Sequence, residues 1–258
     1  MIKVTDLNFA YKEKEVLKNI NFSADSGEVI SLIGPNGCGK STLLRVICGI
    51  LPSKNGKVMI TNTSINNLSN KELAKQIAFL PQFQEKMNGV SVWELVSLGR
   101  APYQKSGWLT NKEDKAKIKW AIDYMSLSEY VHIDVEKLSG GERQRVWIAM
   151  VLAQDTPIIL LDEPVTYMDI RYQCQLINIV KGLKEEFAKT VIAVFHDINH
   201  AIEVSDKIYL MKDGKVFDFG HSDQVISEQN IRDVYGVHAH VCRPKPCCRN
   251  VVIPSRIC

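Results

Sequence analysis

Gly34-Pro35-Asn36-Gly37-Cys38-Gly39-Lys40-Ser41-Thr42 lies between the apolar run Val29-Ile30-Ser31-Leu32-Ile33 and a stretch, residues 42–50, with helical spacing. The run halts at Gly34 as a buried strand does, and the helical stretch ends near Gly49 and Pro52. Strand, glycine-rich loop and helix in that order form the context in which G-x-x-x-x-G-K-[ST] holds a phosphate chain. Glycines let the backbone curl until its N–H groups face the phosphates, and the helix N-terminus reinforces them. Lys40 then reaches the β- and γ-phosphates, and the Ser41 hydroxyl ligates Mg²⁺. The plainer alternative is an ordinary glycine turn.

Outward from this loop, strand and helix signals alternate. Ile77 to Leu80 is a short apolar run stopped by Pro81, and Ile158-Ile159-Leu160-Leu161 and Val191-Ile192-Ala193-Val194-Phe195 are two more buried-strand candidates. Between those two lies a helix whose inner face carries Leu176, Ile177, Val180 and Leu183. Residues 207–219 read as a hairpin turning at Asp213-Gly214. The first sixty residues read mostly as strands, whereas residues 90 to 155 read as helices. In that helical stretch Thr110 and Glu113 suit a capping box ahead of Ile118, Ala121, Ile122 and Met125. The pattern predicts an α/β fold: a mostly parallel sheet covered on both sides, an N-terminal antiparallel β portion and an inserted helical subdomain. The expected limits are a main domain over 1–240, with its core at 1–85 and 156–220 and its helical subdomain at 86–155, then an extension over 221–258.

Bulk properties exclude several classes. The net charge of +3 is spread among interspersed acids and bases, which argues against a nucleic-acid partner. No run of eighteen apolar residues exists, so no helix is expected to span a bilayer. The segment Met1-Ile2-Lys3-Val4-Thr5-Asp6 lacks the layout of a secretory signal. A cytosolic chain that meets a membrane only through a partner is expected. Of seven cysteines, Cys38, Cys48 and Cys174 read as small buried hydrophobes. Cys242, Cys247, Cys248 and Cys258 crowd the end of the chain, where four thiols can bind Zn²⁺ or an iron–sulfur cluster. They lack a C-x-x-C pair, so a redox-sensitive tail and a tail with no specific role stay open.

Two further motifs carry chemistry. Asp162 and Glu163 end the apolar run from Ile158, and two carboxylates there must face a polar cleft. Asp162 suits Mg²⁺, and Glu163 suits polarisation of an attacking water; a strand-ending turn at Asp162-Glu163-Pro164 is the alternative. Leu138-Ser139-Gly140-Gly141-Glu142-Arg143-Gln144-Arg145 introduces a helix. Ser139 and Glu142 suit a capping box, and the serine with its paired glycines also leaves a bare helix N-terminus, a second anion site.

Residues 138–142 match the signature motif of ATP-binding-cassette ATPases, and the chain resembles that family from residue 2 to about 240. The resemblance implies a P-loop NTPase core that hydrolyses ATP with Mg²⁺, through Glu163, Lys40 and His196. It implies a head-to-tail dimer with a second copy, two sandwiched ATP molecules, and Ser139, Gly140 and Gly141 acting on the other subunit's nucleotide. Gln82 resembles the glutamine that touches Mg²⁺ and senses a transmembrane partner. His196 resembles the switch histidine at the γ-phosphate, Asp169 the aspartate that communicates across the dimer. Tyr11 resembles the aromatic that stacks on adenine, although a strand-edge tyrosine would look the same.

A finer resemblance points to subunits that power uptake of iron–siderophore complexes, haem or cobalamin. It rests on Ser91-Val92-Trp93-Glu94-Leu95-Val96-Ser97-Leu98-Gly99-Arg100 with Ala101-Pro102-Tyr103, on Arg145-Val146-Trp147-Ile148-Ala149-Met150, on Thr166-Tyr167-Met168-Asp169-Ile170 with Gln173, and on Val234-Tyr235-Gly236-Val237. It implies two transmembrane permease subunits as partners, a solute-binding protein indirectly, and a peripheral seat on the cytoplasmic face of the cell membrane. Glu142 stands where this branch often has Gln, Val165 where Thr is usual, and Met168 where Leu is usual. Cassette ATPases acting on DNA or the ribosome carry a long coiled coil or a second cassette, and this chain has neither. Regulatory subunits that bind ATP without hydrolysing it lose the catalytic Glu or the switch His, and both Glu163 and His196 are present.

Overall fold

The computed structural model describes residues 1–53, 55–104, 111–164, 169–243 and 249–257. Its chain divides into two compact units, Met1–Leu68 with Ile177–Cys258, and Ser69–Leu176.

The first unit opens with β1 (Ile2–Tyr11) and β2 (Lys14–Ala24), an antiparallel pair. Alternation along β2 sends Ile20, Phe22 and Ala24 inward with the two-residue period of a one-sided sheet, and a register shift in its pairing with β1 brings Leu17 to the same side. β3 (Val29–Ile33) is buried at all five positions, the mark of a strand covered on both faces. α1 (Lys40–Ile47) follows the phosphate loop. β4 (Asn55–Ile60) and β5 (Thr63–Ser64) complete a four-stranded sheet in the order β2-β1-β4-β5.

The second unit holds α2 (Asn70–Leu73), β6 (Ile77–Leu80), α3 (Val92–Leu98), α4 (Lys112–Tyr124), α5 (Gly140–Ala153) and β7 (Ile158–Asp162). β6 and β7 pair in parallel, Ile77 opposite Ile158 through Leu80 opposite Leu161. Ile118, Ala121, Ile122 and Met125 are buried, as their spacing predicts. The cap of α4 is a correction. Asn111, not Thr110, is the N-cap, and its Oδ1 accepts from the Asp114 backbone N–H at 2.8 Å; Thr110 lies outside the described residues. Asn111 offers the same short side-chain acceptor one residue later, and Asp114 has its own carboxylate committed elsewhere. Asn111→Ala is expected to cost about 1 kcal/mol, read as a lower urea midpoint with an unchanged slope.

Asp114 is committed to Arg100. Arg100 Nε donates to Asp114 Oδ1 at 2.8 Å with the two side chains 3% and 2% exposed. Arg100 Nη1 also donates to the Ala153 and Gln154 carbonyls at 2.9 and 3.3 Å, and its guanidinium carbon sits 3.9 Å from the Tyr103 ring centre. One buried cation thus ties the end of α3, the start of α4 and the end of α5.

α6 (Ile170–Glu185) leads back to the first unit. There β8 (Thr190–Val194), α7 (Ile198–Val204), β9 (Lys207–Lys212), β10 (Lys215–Gly220), α8 (Ser222–Val225), α9 (Glu228–Tyr235), β11 (Val237–Cys242) and β12 (Val251–Ile257) follow. β3 runs parallel to both β8 and β9, and β9 and β10 form the expected antiparallel hairpin. Asp213 and Gly214, at φ 50° and 81°, supply the left-handed pair that such a tight turn requires. Leu176, Ile177, Val180 and Leu183 are all buried. Cys38 is buried as expected, whereas Cys48 is half-buried and Cys174 is exposed. Cys174 falls on the outer side of an amphipathic helix, where neighbours two and three residues on take the inner side. No described helix is long and apolar enough to cross a membrane.

Candidate active site

β3 delivers the chain to the phosphate loop at a point with no space for a side chain. A Cβ on Gly34 would stand 2.2 Å from the Met211 carbonyl oxygen, so only glycine lets the loop begin this close to β9. Gly37, at φ 78°, has nothing within 4 Å of where a Cβ would be. At that point the backbone conformation, not crowding, selects glycine. Beneath the loop the Lys40 side chain is 5% exposed, and Nζ donates to the Gly34 and Pro35 carbonyls at 2.7 and 2.9 Å. The ammonium is therefore held by the backbone of the loop itself. α1 begins with Gly39 as N-cap and no side-chain cap, so Lys40, Ser41 and Thr42 occupy its first turn, at the positive end of the helix. Burial pushes the Cys38 thiol up despite the nearby Lys40, which keeps it protonated and unreactive at neutral pH.

In the second unit β7 ends in the two carboxylates. Asp162 is fully buried and Glu163 nearly so. Glu163 has φ 54°, a left-handed conformation uncommon outside glycine and a mark of functional sites. Gln82 Nε2 donates to Glu163 Oε2, bringing together two residues 81 positions apart. With its nitrogen given to Glu163, Gln82 has its carbonyl oxygen as an acceptor of the opposite kind. Gln144 Nε2 donates to the Pro164 carbonyl at 3.2 Å, so the signature helix α5 also steadies the turn after Glu163. Sequence reasoning missed Gln144, because a polar residue in the second turn of a helix gives no signal of its target.

The α5 N-terminus carries the expected capping box. Ser139 and Glu142 form a full capping box: Ser139 N donates to Glu142 Oε2 at 2.9 Å, and Glu142 N donates to Ser139 Oγ at 3.4 Å. The Ser139 hydroxyl also donates to Glu142 Oε2 at 2.7 Å. Hydrogen bonds from the Ser139 hydroxyl and N–H and from Tyr130 hold the Glu142 carboxyl below its ordinary range. Ser139 and Gly140 are exposed, while Gly141 faces the Tyr172 ring. Asp169 is exposed and caps α6, its carboxylate accepting from Tyr172 N at 3.1 Å and its carbonyl from Gln173 N at 3.0 Å.

Back in the first unit, His196 follows β8 by two residues and is exposed at the entrance to α7. Asp197 caps that helix, accepting from Asn199 N at 2.7 Å. Tyr11 ends β1, 43% exposed and edge-on to Phe9. Tyr235, unforeseen as a site neighbour, lies beside Cys38 and the Gly34 backbone, where burial pushes its phenol up and keeps it neutral.

The terminal cysteines gain no support as a metal centre. Cys242 is exposed at the end of β11, and Cys247, Cys248 and Cys258 lie outside the described residues, as do Val165, Thr166, Tyr167 and Met168. No group of three or more His, Cys, Asp or Glu residues suited to a metal occurs among the described residues.

A curled loop around a buried lysine, hydroxyls in a helix's first turn and a buried carboxylate pair are the donors a nucleotide triphosphate and Mg²⁺ require. The family model described as ABC transporter matches residues 17–166, and this chain belongs to that family. It is one of the family's ATPase subunits and uses ATP with Mg²⁺. The petrobactin import ATP-binding protein FpuC of Bacillus anthracis is 40% identical over 241 residues, which cover 93% of this chain and 89% of FpuC. An inward-facing conformation of a metal-chelate type ABC transporter superposes with a TM-score of 0.85 at 26% identity, covering 98% of this chain and 96% of that one. The ATP-binding cassette MJ0796, a dimer in a post-hydrolysis state bound to ADP and phosphate, gives 0.76 at 31% identity, covering 86% and 98%.

Proposed function

We propose that this chain is the ATP-hydrolysing subunit of an importer for a metal chelate, working as a two-fold dimer beneath two transmembrane permease subunits at the cytoplasmic face of the membrane. The observation that carries the reading is the likeness to FpuC along 93% of the chain, supported by the superposition on a metal-chelate type transporter. The dimeric MJ0796 cassette supports the paired state.

In this reading Lys40 neutralises charge on the β- and γ-phosphates, and the N–H groups of residues 34–42 hold the phosphate chain. Ser41, Gln82 and Asp162 are the residues that would hold Mg²⁺, which when bound would offset charge on the same phosphate oxygens. Glu163 takes the proton of the attacking water, with Gln82 fixing the orientation of its carboxylate. His196 contacts the γ-phosphate, and Tyr11 stacks on adenine. Ser139, Gly140 and Gly141 serve the nucleotide of the other copy, and Asp169 relays between the copies. The chain's contribution to rate is positioning and charge stabilisation. Closure of the dimer on ATP moves the permease, which alone meets the solute-binding protein.

Purification from membranes, with mass spectrometry of what accompanies the chain and an uptake assay with radiolabelled ferric chelates, tests this. A multi-span permease in the eluate and uptake that stops when the gene is removed are the expected results. A chain that elutes without a permease, or chelate uptake unaffected by its loss, overturns the import reading.

A further inference from the structure

The last strand of the chain reaches back fifty residues to grip the short helix that follows His196. Asn199 Nδ2 donates to the Val252 carbonyl at 3.2 Å, and Val252 N donates to Asn199 Oδ1 at 2.8 Å. The side-chain amide thus pairs with β12 as a neighbouring strand would. At the other end of α7, Arg249 Nη1 donates to the Ile202 carbonyl and, at 3.0 Å, to that of Ser205. A cation on the last carbonyls of a helix is electrostatically favoured. α7 has only seven residues, too few to hold its own geometry without outside support. β12 is itself held in an antiparallel ladder with β11, from Val237 opposite Ile257 to Cys242 opposite Val251. β11 follows α9, whose Tyr235 leans on the phosphate loop at Gly34 and Cys38. A groove of about 540 Å³ lies between these parts, with His196, Asn199, Tyr235 and Val252 among its walls.

We propose that the C-terminal hairpin is a brace for the hydrolysis step, and that Asn199 and Arg249 are positioning residues that fix α7 and, through it, His196. The proposal rests on the reading of His196 as the γ-phosphate contact. None of the brace residues needs to touch nucleotide. Their effect passes through Asp197, the cap residue that joins His196 to the helix they hold. Misplacing a catalytic contact by about an ångström costs up to about a hundredfold in rate, so releasing one clamp has a kinetic cost larger than its structural one.

The experiment is a double-mutant cycle in the full-length chain, with His196→Ala, Asn199→Ala and both together, read as kcat and KM for ATP and as thermal midpoints. The expected result is a fall in kcat of about tenfold for Asn199→Ala at unchanged KM, and a double variant no slower than His196→Ala. The thermal shifts, in contrast, add. A merely structural role for Asn199 would multiply the two kcat losses, and that result, or full kcat in Asn199→Ala, overturns the brace. Full kcat in His196→Ala overturns instead the underlying reading of His196. Arg249→Ala, at an exposed position, carries the same cycle should Asn199→Ala not fold.

Discussion

Glu163→Gln lowers ATP turnover by roughly 10²- to 10⁴-fold, the usual contribution of a general base, and leaves ATP affinity unchanged. The substitution keeps the side chain's length and the carbonyl oxygen that accepts from Gln82 Nε2, so the second unit's site keeps its shape. It removes only the capacity to take a proton. Backbone strain does not confuse the result, because both residue types meet the same cost at φ 54°. Steady-state phosphate release gives the turnover, and equilibrium binding of a fluorescent ATP analogue gives the affinity. Turnover within a few-fold of the parent chain would remove Glu163 from the proton-accepting role and leave the buried Asp162 as the carboxylate to examine next.

Arg100→Ala destabilises the chain by about 3–5 kcal/mol, the range for breaking a buried ion pair from one side. The loss has three parts that a surface pair would not show. Asp114, 2% exposed, is left charged without its partner, the Ala153 and Gln154 carbonyls lose their donor, and the Tyr103 ring loses its cation. Urea denaturation measures it. A loss below about 1 kcal/mol would mean that water reaches Asp114 when the guanidinium is gone. Replacing both partners together by Met and Leu is expected to recover the part of the loss due to the unpaired Asp114 charge, while the Ala153 and Gln154 carbonyls stay without their donor.

Much of this was legible in the sequence, for physical reasons that differ from element to element. β3, β7 and β8 are buried on both faces, so their apolar runs stand out without any alternation. The phosphate loop is legible because its glycines answer to local geometry: Gly34 to the carbonyl of Met211, Gly37 to its own φ. The carboxylates Asp162 and Glu163 are legible because charge at the end of a buried strand has few explanations. What stayed hidden depends on partners far along the chain. Nothing near Asn199 announces Val252, nothing near Arg100 announces Ala153, and nothing near Gln144 announces Pro164. The hairpin of β11 and β12 was hidden for another reason: β12 is mostly exposed, so it carries no clear apolar period. The cap of α4 was not settled by the sequence because Thr110 and Asn111 are both residue types that suit that position.

β3 is flanked by β8 and β9, and that arrangement reaches back to the time of synthesis. The ribosome makes Val29–Ile33 early, and the first residue of β9 is Lys207. At roughly 5–20 residues per second, the interval is on the order of ten to thirty-five seconds. For most of it a five-residue apolar strand has neither neighbour, since β8 ends only at Val194, shortly before β9, and the loop that hangs from it has no β9 carbonyl to close against. A chain cut before β9 is expected to leave this strand with one edge uncovered and its loop without the Met211 carbonyl against which Gly34 packs.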